Sequence, residues 1–212
     1  MRTQHLIWDW NGTLLDDLAL CLGIINYMLE ERELPALSQE NYLEAFDFPV
    51  QDYYRRIGFD FRREPFEAVS DQFIQAYEAG RPDCQLMDGA REALDHFARL
   101  GLSQSVLSAS RRIYLRKAVQ EYGIEGYFSA VEGLEDHHAA GKLALARDFL
   151  ESVPLGQEQM TLVGDTTHDG EIASQLGLNC LLIPNGHHSR ERLEKTGHPV
   201  LSSLRELPGH LP

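Results

Sequence analysis

Three acidic residues stand where short apolar runs give way to polar ones. Asp9 closes the first run in Leu6-Ile7-Trp8-Asp9-Trp10-Asn11-Gly12-Thr13, and Asp165 and Asp169 follow Leu162-Val163-Gly164. Carboxylates gathered at one edge repel unless a cation sits among them, and hard oxygen donors beside a phosphate suit Mg²⁺. Ser108, after Val106-Leu107, offers a hydroxyl, and the exposed backbone N–H groups of the helix start that follows complete a cradle for an anion. Lys142 opens an expected helix, where the dipole disfavours a cation, so its placement asks for a reason, such as neutralising a bound phosphoryl group. Each motif has a plainer reading beside it. Asp9 before Asn-Gly can be a turn, Asp165 and Ser108 can be N-caps, and Asp169 can be a first-turn charge.

Five strands must position these groups: Leu6–Trp10, Ser103–Leu107, Phe128–Glu132, Met160–Gly164 and Asn179–Ile183, each short and apolar. Amphipathic stretches at 89–100, 111–122, 142–152 and 169–177 lie between them. Strand-helix alternation predicts an α/β fold with a Rossmann-like, doubly wound parallel sheet and ligands at the strands' carboxyl ends. One connection breaks the rhythm. From Leu14 to Leu86 no convincing strand occurs; Leu18, Leu22, Ile25 and Leu29, then Phe66, Val69, Phe73 and Tyr77, repeat at helical spacing, with Ser38 as an N-cap. This predicts an α-helical cap domain over 15–86 inserted into a core of 1–14 and 87–212, hinged near Leu14–Asp17 and Leu86–Gly89.

The 212 residues are 43% hydrophobic and 25% charged, which suits a globular chain, and the net charge of −14 opposes binding to nucleic acid or anionic membranes. Cys21, Cys84 and Cys180 have no disulfide or zinc-finger spacing. No apolar run approaches the ~18–20 residues of a membrane span, so a soluble cytoplasmic protein is expected. Nothing in the sequence fixes the oligomeric state.

In order, the motifs hhhDxNGT, hhhS, Lys and GDxxxD resemble those of the haloacid dehalogenase superfamily, and the insertion after the first strand brings the chain close to its phosphoglycolate phosphatase-like branch. The resemblance spans essentially the whole chain and implies a Mg²⁺-dependent phosphatase. Its substrate would be a small phosphorylated metabolite, a phosphoglycolate-like phosphomonoester, hydrolysed through an aspartyl-phosphate. Asp9 would be the nucleophile and a metal ligand, and Ser108 and Ala109 would hold phosphoryl oxygens. Lys142 would neutralise charge, Asp165 would bind the metal, and Asp169 would act through water or orient Lys142. Asn11 stands where the family usually has an acid/base Asp. Its backbone carbonyl can still serve the metal, but an amide can neither give up nor take a proton, a loss worth ~10²- to 10⁴-fold. The alternative is a catalytically impaired phosphate- or metabolite-binding or regulatory protein on the same scaffold.

Two other branches fit less well. Metal-free dehalogenase chemistry is opposed by the intact Asp165 and Asp169, and the Schiff-base chemistry of phosphonoacetaldehyde hydrolases by the lack of any lysine in 14–86. His137, His138, His168, His187 and His188 fall in loops on the ligand side, where one of them could supply the missing proton. In Phe48-Pro49-Val50 and Tyr53-Tyr54-Arg55-Arg56 the aromatics are read as inward and the arginines as solvated, with substrate contact as the alternative. Arg62-Arg63 and Arg111-Arg112 are read as solvated.

Overall fold

A computed structural model describes residues 3–135 and 141–211. The chain forms β1 (His5–Trp8), β2 (Leu15–Asp16), α1 (Leu18–Glu30), α2 (Gln39–Ala45), α3 (Val50–Arg56), α4 (Phe66–Gly80) and β3 (Gln85–Leu86). It continues through α5 (Ala90–Arg99), β4 (Ser103–Arg111), α6 (Arg112–Glu121), β5 (Ala130–Leu134), α7 (Lys142–Ser152), β6 (Met160–Gly164), α8 (Thr167–Leu176) and β7 (Asn179–Leu182). The last helices are α9 (Arg190–Glu194) and α10 (Leu207–His210).

The main sheet is parallel throughout, in the order β5-β4-β1-β6-β7. Side chains alternate across it, so consecutive residues of β1 feed different layers. Leu6 and Trp8 pack with Leu94 and Phe97 of α5 and Leu115 and Val119 of α6. Ile7 packs on the other face with Phe149 and Leu150 of α7 and Ile172 and Leu176 of α8. Both faces are therefore covered, and the ends of β1, β4 and β6 are brought side by side. No helix among the described residues is long and apolar enough to cross a membrane.

Helices α1 to α4 share a cluster of their own, in which Ile25, Met28 and Leu29 meet Tyr42, Tyr53, Tyr54 and Val69. Ser38 caps α2 by accepting from Asn41 N at 3.1 Å. The structure departs from the sequence reading at three elements. A two-residue antiparallel ribbon, Leu15 with Leu86 and Asp16 with Gln85, joins the insertion's two stems where no strand was expected; such a pair is too short to leave a period. The third strand starts at Ala130, two residues late, because the apolar Phe128 follows a 3-10 turn and packs against the core from a loop. β4 runs on to Arg111, with an irregular register between Leu107 and Arg111, so Ser108 and Ala109 lie in a bulged strand end and not at the start of α6.

Candidate active site

Asp9 follows β1 directly, and its N–H extends the ladder to Val163 O at 2.9 Å. The chain then turns sharply, Trp10 O accepting from the N–H groups of Leu14 and Leu15. Gly12 makes this possible with a φ of +70°; a side chain there would collide with the carboxylate of Asp165. On the neighbouring strand, Thr166 caps α8 and forms a capping box with Asp169. The plainer reading of Asp165 as the cap is thus displaced by one residue, and Asp169 does occupy the first turn.

Lys142, at the start of α7, donates from Nζ to Asp9 Oδ1 and Asp169 Oδ1, each at 2.7 Å. Asp169 Oδ2 accepts in turn from Thr166 Oγ1 at 2.6 Å. Asp165 accepts from Thr13 Oγ1 at 2.9 Å and from the His187 N–H at 2.6 Å. Asp9, Lys142, Asp165 and Asp169 are all buried.

Burial dominates the electrostatics of this cluster. It pushes the Asp9 carboxyl up to about 6, with Lys142 pulling the other way and Asp169 adding to the rise. It pushes Asp165 up to about 7, opposed by His187 and reinforced by the charges of Asp9 and Asp169. Asp169 is the exception, because Lys142 and Thr166 outweigh its burial and hold it below the usual range. Lys142, in spite of burial, is held above the ordinary lysine value by Asp169 and Asp9. Oxygens of Asp9, Asp165 and Asp169 can lie within 4.8 Å of one another. Lys142 bonds two of these three carboxylates, the hard oxygens of all three fit a divalent cation, and the bare backbone of Gly12 and Gly186 leaves Asp165 its room.

Ser108 and Ala109 line the same cavity as Asp9 and Lys142, as does Asn11. The Asn11 side chain is fully engaged. Its amide donates to Asp17 Oδ2 and to Tyr77 Oη, each at 2.6 Å, and its carbonyl accepts from Ser110 Oγ at 2.7 Å. Asp17, wholly buried, also accepts from Tyr77 Oη at 2.7 Å and from the Gly12 N–H at 2.9 Å. Burial resists its ionisation, but His187, Asn11 and Tyr77 outweigh that and hold it below the usual range.

Thr13, Asp17, Tyr77 and Ser110 were not foreseen in these roles. Thr13 lies in the quoted motif, Asp17 is a carboxylate four residues beyond it, and Tyr77 falls at an apolar-face position of its helix. Among the histidines, His187 belongs to the site: its ring lies 3.2 Å from Asp17 Oδ1 and 3.0 Å from Tyr42 Oη. Despite burial, Asp17 and Asp165 raise it to about 9. His188 is pushed down to about 3 by burial and accepts from the Thr167 N–H. His168 stacks on Phe48 at 4.9 Å, and His137 and His138 lie outside the described residues.

A cavity of about 410 Å³ extends from Asp9 into the helical insertion. Tyr53 and Tyr54 are buried along its wall while Arg55 and Arg56 are exposed, so the inward reading and the substrate-facing one describe the same two tyrosines. Arg62 and Arg63 are exposed beside Asp60. The solvated reading of Arg111-Arg112 needs correction, because β4 carries Arg111 to the cavity wall with its guanidinium over Tyr114, and Arg112 pairs with Glu132 and Glu135. The insertion is tied to the core at a separate point, where Arg192 donates to the carbonyls of Leu43 and Phe46 at 2.7 Å and lies 3.3 Å from Asp47.

Comparison with known proteins adds three kinds of likeness. The family model described as haloacid dehalogenase-like hydrolase matches residues 6–183. A 5′-nucleotidase of Pseudomonas aeruginosa is 26% identical over 91% of this chain and 88% of its own. A phosphoglycolate phosphatase of Synechococcus elongatus is 24% identical over 90% of this chain and 88% of its own. A solved haloacid dehalogenase-like family protein from Streptococcus pneumoniae superposes with a TM-score of 0.86 at 16% identity, covering 98% of both chains.

Proposed function

From the premise that this chain belongs to the haloacid dehalogenase-like hydrolases, we propose that it is a Mg²⁺-dependent phosphatase of a small phosphorylated metabolite, working through phosphorylated Asp9. The observation that carries the reading is Lys142 Nζ held 2.7 Å from both Asp9 and Asp169. That fixes one oxygen of a buried carboxylate and leaves the other to attack.

In the first step an Asp9 oxygen bonds to phosphorus, the ester P–O bond breaks, and the alcohol departs with a proton from water. In the second, water attacks the same phosphorus, the bond from phosphorus to the Asp9 oxygen breaks, inorganic phosphate leaves with the water's hydroxyl, and the remaining proton returns to solvent in place of the one drawn in the first step, which restores the Asp9 carboxylate. The Ser108 hydroxyl and the Ala109 N–H orient the phosphoryl oxygens, and Lys142 offsets the charge that accumulates on them. Asp9, Asp165 and the Asn11 backbone carbonyl would hold Mg²⁺, with Asp169 behind them through water, and the ion would supply charge neutralisation at the phosphoryl group. Residues 1–14 and 87–212 form the catalytic core and 15–86 the cap. The unpaired Cys21, Cys84 and Cys180 agree with a reducing, cytoplasmic setting.

Asn11 supports slow turnover, because both amide donors are occupied and neither can transfer a proton. A binder that never completes the cycle is the limiting form of that reading. The test is release of phosphate from 4-nitrophenyl phosphate with and without Mg²⁺, in the wild type and in Asp9→Asn. Release that needs the metal and disappears in a folded Asp9→Asn variant supports the proposal. Release that persists in the variant removes Asp9 from its role.

A further inference from the structure

The cavity that begins at Asp9 is chemically divided. On the core side stand Asp9, Ser108, Lys142 and Arg111; the insertion contributes Ile25, Phe46, Phe48, Val50, Phe73 and Ile74 to the wall. Among the described residues, the insertion supplies no lysine or arginine to it, and its one charged group there is Glu78, an anion. The core side holds the cavity's cations: Lys142 serves Asp9 and Asp169, His187 lies against Asp17 and Tyr42, and Arg111, three residues beyond Ser108 on β4, stands over Tyr114.

A carboxylate on the far end of a substrate would lose its hydration against this wall and meet no cation among the insertion's lining residues, whose one charged group, Glu78, already pairs with Arg81 at 3.5 Å, a costly exchange. An uncharged apolar body would instead be taken out of water along with the half-buried rings that line the wall. The volume, about 410 Å³, lies within the range of sites that enclose a whole small molecule and greatly exceeds what a two-carbon acid needs.

Resting on the phosphatase reading for the placement of the phosphoryl group, we infer that the site takes phosphomonoesters whose body is uncharged and predominantly apolar, of aromatic size. Such bodies would be favoured over the short carboxylated one of phosphoglycolate, which leaves the apolar wall unfilled.

Binding of two non-hydrolysable phosphonates to the full chain in Mg²⁺ separates this inference from the catalytic one. 2-(1-Naphthyl)ethylphosphonate carries an apolar body, and 3-phosphonopropionate mimics phosphoglycolate. The naphthyl ligand is expected to bind about 10²-fold tighter, the scale set by burying one aromatic group. Ile74→Arg, at a half-buried position where a long side chain can extend, is expected to weaken the naphthyl ligand and strengthen 3-phosphonopropionate. Ser70→Arg, on the same helix and wall, gives the same comparison if Ile74→Arg does not fold. Equal or tighter binding of 3-phosphonopropionate by the wild type, or no binding of either ligand, overturns the inference. An enzyme that fails to hydrolyse esters yet keeps the naphthyl preference leaves the inference standing and removes only the phosphatase reading. Naphthylmethyl phosphate and phosphoglycolate, both esters of primary alcohols, then show whether kcat/KM follows the binding.

Discussion

In the proposed mechanism a carboxylate at position 11 would supply the absent acid/base group, and the contacts of Asn11 set what that change does first. Asn11 Nδ2 lies 2.6 Å from Asp17 Oδ2. In Asn11→Asp an oxygen replaces that donor, and two charges at such a distance repel by about 6 kcal/mol at an effective dielectric of ~20, an upper figure because Asn11 is only half-buried. Binding a proton is the cheaper course. Keeping a carboxyl with an ordinary pKa near 4 protonated at pH 7 costs about 4 kcal/mol. The variant is therefore expected to lose up to about 4 kcal/mol of stability at pH 7, since a neutral acid can again donate to Asp17. The sign follows from proton uptake. With the folded pKa above the unfolded one, the folded state binds more protons, so the deficit grows as pH rises from about 4 and nearly vanishes below it. Urea unfolding of wild type and variant at pH 5 and pH 8 measures this. Asn11→Asp/Asp17→Asn, which exchanges amide and carboxylate, should recover part of the loss and, with an ionisable group at position 11, speed dephosphorylation by about 10². A single variant as stable as wild type at pH 8, with no pH-dependent difference, would mean that these two side chains do not face each other.

Three further outcomes are expected. Because burial raises Asp9 to about 6 and Asp165 to about 7, protons compete with Mg²⁺ below those values; the rise in Tm on adding Mg²⁺ should be larger at pH 8 than at pH 5, and a pH-independent rise refutes the proposed ligands. With a good leaving group, the second step should lag the first for want of a base at position 11, so a burst of 4-nitrophenol near one equivalent per chain should precede slow turnover; a linear trace from time zero contradicts it. Arg192→Ala should release the insertion near Leu43–Asp47 and raise amide exchange in α2 while leaving α5 and α6 unchanged; uniform protection in both proteins would show that Arg192 does not hold it.

What the sequence displays well is whatever repeats. Apolar runs at strand length and apolar positions at helical spacing mark the parallel core and the helical insertion, because each element buries a face. The groups at the strand ends are visible because Asp9, Asp165 and Asp169 are expensive to place beside apolar strands without a purpose. The network under Asn11 leaves no such trace. Tyr77 sits at an apolar-face position and turns a hydroxyl to Asp17, so its pattern is that of any core tyrosine. His187 comes from a loop far along the chain, and only the folded sheet sets it beside Asp17. The extension of β4 to Arg111 was hidden because Ser108-Ala109-Ser110 carries no strand signature, and its pairing partner is Leu134 on another element.

The engagement of Asn11 also gives this chain an internal chronometer. An Asn-Gly step ages when the glycine nitrogen attacks the asparagine amide carbon, expels ammonia and closes a succinimide, which opens to aspartate or isoaspartate. Here the Gly12 N–H is held by Leu15 O and Asp17 Oδ1, both at 2.9 Å, while the Asn11 amide is fastened to Asp17, Tyr77 and Ser110. Attack requires these bonds to open together, so the reaction draws on the opened population rather than on the native one. The isoaspartate content of an aged sample is then expected to follow how often this loop opens.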